Sequence, residues 1–339
     1  DGTPEVLLGI AEAFAKTSDS TAAERLLVDA WDASLKVDDG VPRMLLYRIA
    51  KCQAELGQQD LAIDAAQHLP SSLSFERAWI LGDIAVVQAN KGNATAAIHT
   101  VDLIPAQEYV QGDMGITQRD MALTKIADAF SERRNFADAI NVLEMIGGRL
   151  NSNKEDKVTE EKLKATGQIM VVQNQADAGD LKDALQTAHA IALESHRDRA
   201  LRLITCSAAD RMEVATARET LNAIKSQTEK DAGSVCLVAA LCSQKQLEEA
   251  ADLVRNIHEA SERARGLLEI AIAHAASGDM TKTRALLDQS MMLAPLEGDS
   301  KRGAMKRIVE ALVNSGYYDQ GREFAQELTE PDARSVSFQ

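Results

Sequence analysis

Histidine and cysteine, the side chains that most often bind metals or act as nucleophiles, are few and widely spaced in this chain. The six histidines are His68, His99, His189, His196, His258 and His274. They include no HExxH zinc motif, and a predicted helix break separates His189 from His196. The four cysteines are Cys52, Cys206, Cys236 and Cys242, whose spacings match neither a zinc ribbon nor a CxxC pair. We therefore expect four buried free thiols and no metal site.

Motifs of other catalytic classes are missing too. The sequence has no glycine-rich phosphate loop, no dinucleotide-binding fingerprint and no GxSxG nucleophile elbow. Asp38, Asp39 and Gly40 are typical of a turn, because the alternating ligands of a calcium loop do not follow them. The sequence predicts no cofactor and a protein that is not an enzyme. A small-molecule sensor, or an enzyme with an unusual site, stays open as an alternative.

One regular pattern of charge does stand out. Seven bases each lie seven residues before a core aliphatic position, and they would form a ladder along one edge of the molecule: Arg77, Arg119, Lys164, Arg197, Lys230, Arg263 and Lys301. Cations near helix starts oppose the helix dipole, so each needs a compensating partner. Two interpretations are open. The bases pair with acids or carbonyl groups of a neighbouring helix, or they form an anion-binding edge.

The elements that position these side chains follow from an internal repeat of helix, turn and helix. Nine turn residues, 33 to 45 positions apart, mark the copies: Ser18, Gly57, Gly92, Arg134, Gly179, Met212, Lys245, Gly278 and Gly316. Glycine at this place suits a left-handed helix end. Where Arg134, Met212 or Lys245 replaces glycine, we expect a different turn.

Three further columns agree with this register. Eight residues before the turn, every copy has an aliphatic residue: Ile10, Ile49, Ile84, Ile126, Val171, Ile204, Leu237, Ile270 and Ile308. Five residues after it, every copy has a small one: Ala23, Ala62, Ala97, Ala139, Ala184, Ala217, Ala250, Thr283 and Gly321. Twelve residues after it the side chain is mostly aliphatic, as in Ile104, Ile191 and Ile257. The first column predicts the core between paired helices, and the small residues predict close contact of their backbones.

The Ile-Ala pairs at Ile49, Ile84 and Ile270, the turn glycines and the alanine five residues later resemble the tetratricopeptide-repeat family. This resemblance implies an all-α protein, a right-handed superhelical solenoid of about nine stacked helix-turn-helix repeats. The family's aromatic positions are largely empty here, so an armadillo-like or HEAT-like solenoid is the alternative. The predicted repeats span about 3–41, 42–76, 77–118, 119–161, 162–196, 197–229, 230–262, 263–300 and 301–331, and 332–339 forms a tail. Long loops are expected at 105–118 and 147–161.

The resemblance also implies a concave groove lined by the first helix of each repeat. In the N-terminal half the lining residues would be Met44, Tyr47, Lys51, Trp79, Met121, Thr124 and Asp128. In the C-terminal half they would be Arg199, Arg202, Cys206, Arg265, Leu268 and Lys306. From these we predict that a partner binds Tyr47, Trp79, Met121, Arg199, Arg202, Arg265 and Lys306. The asparagine with which family members clamp an acidic tail is replaced throughout, so that activity is not implied.

Composition limits the partners. The net charge of −15 repels phosphate backbones and anionic lipid, and only 4% of residues are aromatic. We predict no nucleic acid, no membrane insertion, and a protein or peptide as partner. The function we expect is a non-enzymatic interaction scaffold; a structural spacer without a groove ligand, and weak self-association, are left open. Lack of a disulfide framework favours the cytoplasm, although the chain begins at Asp1 and a removed targeting segment remains an alternative.

Overall fold

In the computed structural model, every regular element is an α-helix among the residues that the structure describes, which are 3–16, 20–36, 43–69, 73–105, 117–147, 154–294 and 299–329. The first nine helices are α1 (Pro4–Lys16), α2 (Ser20–Ser34), α3 (Arg43–Glu55), α4 (Gln59–Gln67), α5 (Ser74–Asn90), α6 (Ala94–Asp102), α7 (Gln118–Glu132), α8 (Phe136–Glu144) and α9 (Lys154–Ala178). The others are α10 (Leu181–Ala190), α11 (Glu194–Asp210), α12 (Val214–Ala223), α13 (Gln227–Ser243), α14 (Leu247–Arg255), α15 (Ala260–Ala276), α16 (Met280–Leu293), α17 (Asp299–Asn314) and α18 (Tyr318–Thr329). The all-α prediction is therefore confirmed. Within these ranges no helix is both long and apolar enough to cross a bilayer.

The chain divides into two compact units. Unit 1 consists of Asp1–Ala178 and His189–Leu193, and unit 2 of Gly179–Ala188 and Glu194–Gln339. The predicted fifth repeat, 162–196, is thus divided, because α9 belongs to unit 1 and most of α10 to unit 2.

Helical hairpins make up most of each unit. In unit 1, α1, α3, α5 and α7 each pack against the helix that follows, and the odd-numbered helices from α1 to α9 also pack against one another in chain order. In unit 2, α11, α13, α15 and α17 do the same. The odd-numbered helices thus form one layer in each unit. The even-numbered helices pack against this layer and form a second one.

The predicted core columns are buried. Ile49, Ile84 and Ile126 in unit 1 and Ile204 and Ile308 in unit 2 are fully or almost fully shielded from solvent. The small-residue column is equally buried, including Ala62, Ala139, Ala217 and Thr283. A larger side chain in that column would overpack the contact between paired helices.

Ile10 is an exception. Its side chain is 42% exposed, whereas Leu8 and Ala11 are fully buried. Ala11 therefore occupies the position in the first hairpin that Ile49 has in the second. In the second helix of each hairpin, Ala23 and Ala62 occupy equivalent positions, as predicted. The interval from Ala11 to Ala23 is one residue shorter than that from Ile49 to Ala62, so the register predicted for the first helix was wrong by one.

Three described turns without glycine do not differ from the turns that have it; the fourth, at Ser18, lies outside the described residues. Arg134, Met212 and Lys245 have φ angles of 61°, 61° and 60°, in the same left-handed region as Gly92 (81°) and Gly278 (77°). The hydrogen bonds match too. The amide of the residue after the turn residue donates to the carbonyl four positions before the turn residue, from Glu213 to Ala208 and from Asp279 to His274. The expectation of a different turn was therefore wrong.

Two further predictions need correction. The segment 147–161 is not a loop over its whole length, because α9 begins at Lys154. The four cysteines are not all free thiols. Cys206 on α11 and Cys236 on α13 form a disulfide with a Cα–Cα distance of 5.0 Å, while Cys52 and Cys242 are free and buried. The two bonded residues lie 30 positions apart, and only the packing of α11 on α13 brings them together.

Candidate ligand-binding grooves

A groove of about 550 Å³ lies on the odd-numbered helices of unit 1; we call it the unit 1 groove. It is lined by residues of α1, α3 and the turn after α3: Glu12, Ala15, Tyr47, Arg48, Lys51, Cys52, Glu55 and Leu56. Across it, Nη2 of Arg48 donates to both carboxylate oxygens of Glu12 at 2.7 and 2.8 Å. Basic and acidic side chains are balanced in the lining, so this groove has little net charge.

An aromatic pair borders the unit 1 groove. The rings of Tyr47 on α3 and Trp79 on α5 are stacked, with centroids 4.7 Å apart and planes inclined by 19°. Burial, followed by the hydrogen bond to Asp83, raises the pKa of Tyr47 to about 12, so its phenol stays protonated at neutral pH. Lys125 lies 3.5 Å from the same carboxylate. The pair is thus anchored at its polar end and offers an apolar surface beside the groove.

A second groove, of about 570 Å³, lies on the odd-numbered helices of unit 2; we call it the unit 2 groove. Its lining comes from α13, α15, α17 and the start of α14: Ala239, Cys242, Ser243, Lys245, Leu247, Glu269, Ile272, Ala273, Ala276, Ser277 and Arg307. Most of these side chains are apolar or small. A cavity of this size and character is typical of ligand-binding sites.

Two of the three charged side chains that line the unit 2 groove, Arg307 and Glu269, pair with each other; the third is Lys245. Arg307 and Glu269 form two parallel hydrogen bonds of 2.8 and 2.7 Å. Through these bonds Glu269 raises the pKa of Arg307, which stays charged. Burial, with a smaller contribution from Glu269, raises the pKa of the Cys242 thiol to about 12. A thiol held in its protonated form is a poor nucleophile, so the groove is better suited to binding than to covalent chemistry.

The two grooves occupy related places on their helices. The sequence position two residues after the core aliphatic is Lys51 in α3, Ala239 in α13 and Ile272 in α15, and all three residues line a groove. This is one of the columns that the sequence assigns to the groove-facing side of the first helix.

The predicted partner-binding residues are distributed as follows. Tyr47 lines the unit 1 groove, Trp79 stacks on it, and Met121 is half-buried on α7. In unit 2, Arg199 is exposed on α11, and the other three bases face carboxylates: Arg202 with Glu229 at 2.5 Å, Arg265 with Glu262 at 2.8 Å and Lys306 with Glu310 at 3.7 Å. None of these four bases is part of the unit 2 groove lining described above.

Three other residues predicted for the groove behave differently. Leu268 is 9% exposed and packs in the core with Ile308 and Leu312, so its assignment to the surface was wrong. Cys206 is bonded to Cys236. The side chain of Met44 lies outside the described residues.

The basic ladder is partly an ion-pair network. Arg119 donates to the carbonyl of Met145 and to Asp102, both at 3.1 Å, and Lys164 pairs with Glu144. These partners lie on or at the end of α6 and α8, as the ion-pairing interpretation requires. Arg197 pairs with Glu194 of its own helix at 3.6 Å.

Two ladder residues retain a buried polar atom. Within the part of the chain that the structure describes, Nε of Arg77 and Nε of Arg263 are buried without a hydrogen-bond partner. The side chain of Lys301 lies outside the described residues. Four ladder bases are the fourth residue of their helix: Arg77, Arg197, Lys230 and Arg263. They therefore lie at the end of the first helical turn, whereas the sequence placed them at the helix start.

Sequence reasoning missed a set of buried carboxylates beside the ladder. Asp120, Asp198 and Asp231 each follow a ladder base directly, and each is 2% exposed. Asp120 accepts a hydrogen bond from the amide of Gly147, and Asp198 accepts one from Ser226. The signal was present in the sequence as a base-Asp dipeptide in three repeats.

Across the described ranges, the His, Cys, Asp and Glu side chains form no group of three that could hold a metal ion. His189 lies on α10 and His196 on α11, with a helix break between them. The two grooves combine apolar side chains with charged ones, among which Arg48 pairs with Glu12 and Arg307 with Glu269.

Comparisons with known proteins assign no family. No family model matches the chain, and no curated protein matches it. Among solved structures, it is similar to the crystal structure of Ton1535 from Thermococcus onnurineus NA1, with 15% identity, 90% of each chain covered and a TM-score of 0.27. So low a TM-score carries no argument about fold or function.

Proposed function

We propose that this protein is a non-enzymatic scaffold that binds a segment of a partner protein on its odd-numbered helices. In this proposal the chain is a tetratricopeptide-like solenoid of about nine hairpins, and the unit 2 groove is the principal binding surface. Tyr47 and Trp79 of unit 1 take apolar side chains of a partner.

The observation that carries the proposal is the unit 2 groove itself. Ile272, Ala273 and Ala276 leave an apolar surface between three helices, and the Arg307–Glu269 pair at its edge already satisfies its own charges. A groove of this kind gains free energy by covering apolar side chains of a partner, at roughly 25 cal/mol for each Å² buried. Its charged edge would add selectivity rather than affinity.

The test is capture of partners from a lysate of the source organism, with chemical crosslinking to identify the protein surface that each partner touches. Ala276→Arg places a long charged side chain in the groove, and Ala260→Arg makes the same change at the exposed start of the same helix, α15. We expect Ala276→Arg to lose the captured proteins and Ala260→Arg to retain them, with the same circular-dichroism spectrum for both.

A second variant separates the groove from the basic residues. Arg199, Arg202 and Arg265 are changed together to glutamate. If this variant loses the partner while Ala276→Arg keeps it, the binding surface is the arginine set and the groove assignment fails. If wild-type protein captures nothing above background, the scaffold proposal fails and a structural spacer becomes the better description.

A further inference from the structure

A third groove, on the opposite layer of unit 2, has a different character. α14 and α16 both pack on α15, and a cavity of about 430 Å³ lies between them. We call it the α14–α16 groove. Leu267 and Ile270 of α15 form its floor, and Val254 of α14 and Leu286 of α16 contribute apolar walls.

α16 is antiparallel to α15, because Thr283 bonds to Ala271 and Ser290 to Ala264. α14 is antiparallel to α15 as well, because its start lies near the end of α15 and Val254 lies beside Gly266, so α14 and α16 run parallel to each other.

The charged residues of this lining are all basic. Arg255 ends α14 with a side chain that is 74% exposed, and Lys282 lies in the first turn of α16 at 63% exposed. No carboxylate is part of this lining, although the chain as a whole has a net charge of −15. Two cations in such a setting favour an anionic partner.

Each cation already has one acidic neighbour. Arg255 pairs with Asp252, and Lys282 lies 3.4 Å from Asp279; in both cases the acid is three residues earlier on the same helix surface. Exposed pairs of this kind contribute little to stability, so they do not prevent a second acceptor from binding. Arginine and lysine each have several donors, and one carboxylate does not occupy them all.

His274 lies at the Lys282 end of the groove floor. Burial, followed by the charge of Lys282, lowers the pKa of His274, although Asp279 acts in the opposite direction. At neutral pH its imidazole is therefore an uncharged hydrogen-bonding group. It adds polarity to that end of the groove without adding a third charge.

The offset between the two cations along the helix axes describes the partner further. Lys282 lies four residues after its turn residue, Gly278, and Arg255 lies ten residues after the equivalent Lys245. Six residues of axial offset correspond to about 9 Å along parallel helices. On a bound helix, that spacing matches two residues about two turns apart.

We propose that the α14–α16 groove binds an amphipathic helix of a partner protein, whose apolar stripe covers Leu267, Ile270 and Leu286. Two carboxylates about two turns apart bind Arg255 and Lys282. A helix fits better than a fatty acid, because the two cations lie at opposite ends and a single carboxylate would reach only one of them. Apart from Leu247, the residues that line this groove differ from those of the unit 2 groove, and the proposal does not depend on the proposed scaffold function.

A pair of synthetic peptides tests this proposal on the full chain by fluorescence anisotropy. The acidic peptide is a helix with leucines along one stripe and a glutamate at each end of that stripe, two turns apart. The basic peptide has lysine in place of both glutamates. We expect wild-type protein to bind the acidic peptide at least tenfold more tightly than the basic one. We expect the double variant Arg255→Glu and Lys282→Glu to reverse this preference.

The matched control reverses two exposed bases elsewhere in unit 2, Lys225→Glu and Arg322→Glu. Arg322 pairs with Asp319 three residues earlier, as Arg255 does with Asp252. The control variant should bind like wild type. The proposal is overturned if wild type binds neither peptide, if the groove variant keeps the wild-type preference, or if dodecanoate competes fully with the acidic peptide, which would indicate a lipid site.

Discussion

At the scale of single residues, the most informative side chains are buried carboxylates near the start of odd-numbered helices. Asp231 accepts hydrogen bonds from the amides of His258 at 3.0 Å and Glu259 at 2.8 Å, just after α14 ends. It also accepts one from the Gln227 side chain at 2.6 Å. Because α13 and α14 form one hairpin, Asp231 closes its open end and satisfies amides that would otherwise be unpaired.

We expect Asp231→Ala to destabilise the protein by about 2 to 3 kcal/mol, because two backbone amides lose an ionised acceptor in a buried place. The measurement is chemical denaturation followed by circular dichroism. Asp319→Ala is the control, since its side chain is 94% exposed and the change should cost less than about 0.5 kcal/mol. Equal costs for the two changes would mean that Asp231 does not close the hairpin.

At the scale of elements, the turn between paired helices is the most regular feature. In the described part of the chain, eight of these turn residues have a positive φ, and five of them are glycine: Gly57, Gly92, Gly179, Gly278 and Gly316. Arg134, Met212 and Lys245 keep the same turn although a β-carbon makes this conformation unfavourable by roughly 1 kcal/mol. Packing of the two helices therefore overrides the local preference of these residues.

Met212→Gly should stabilise the protein by about 0.5 to 1 kcal/mol, because glycine adopts this conformation without the β-carbon penalty, which exceeds its entropic cost. Met212→Ala is the matched control. It removes the same exposed side chain but keeps the β-carbon, so it should leave stability nearly unchanged. Thermal unfolding of the three proteins checks this. A gain for alanine equal to that for glycine would contradict the backbone explanation.

At the scale of the whole molecule, the chain forms two compact units, and different interactions join the helices within each unit. The described part of unit 1 has a continuous apolar core from Leu8 to Val171, and its cysteine, Cys52, is a free thiol. Unit 2 adds a covalent link between two hairpins, and the ion pair of Arg202 with Glu229 joins the same two helices, α11 and α13. Its first hairpins are therefore restrained more strongly than packing alone would achieve.

Replacing Cys206 and Cys236 together by serine should lower the free energy of unfolding by about 3 to 4 kcal/mol, because the disulfide restricts a loop of 30 residues in the unfolded chain. Denaturation with and without a reducing agent measures this. Reductant should weaken the wild-type protein and leave the double variant unchanged. Insensitivity of the wild-type protein would show that the disulfide does not contribute to stability.

The sequence by itself determined the helices, their turns and most of the core. These features depend on local periodicity. The number of residues between each core aliphatic, such as Ile49, Ile84 or Ile126, and the small residue of the paired helix is nearly constant, because helical hydrogen bonding fixes which side chains share a buried face. The same local reasoning failed at Ile10, because the buried residue of α1 is Ala11, which lies one residue closer to Ala23 than Ile49 lies to Ala62.

Only the tertiary structure decided which side chains meet across helices. The bond of Cys206 with Cys236 and the ion pair of Arg307 with Glu269 join residues 30 and 38 positions apart. Their distances depend on how neighbouring hairpins pack and rotate, which no local pattern encodes. The grooves have the same origin. Ile272 belongs to a recognisable sequence column, but the empty space beside it exists because α13, α15 and α17 pack at a particular distance.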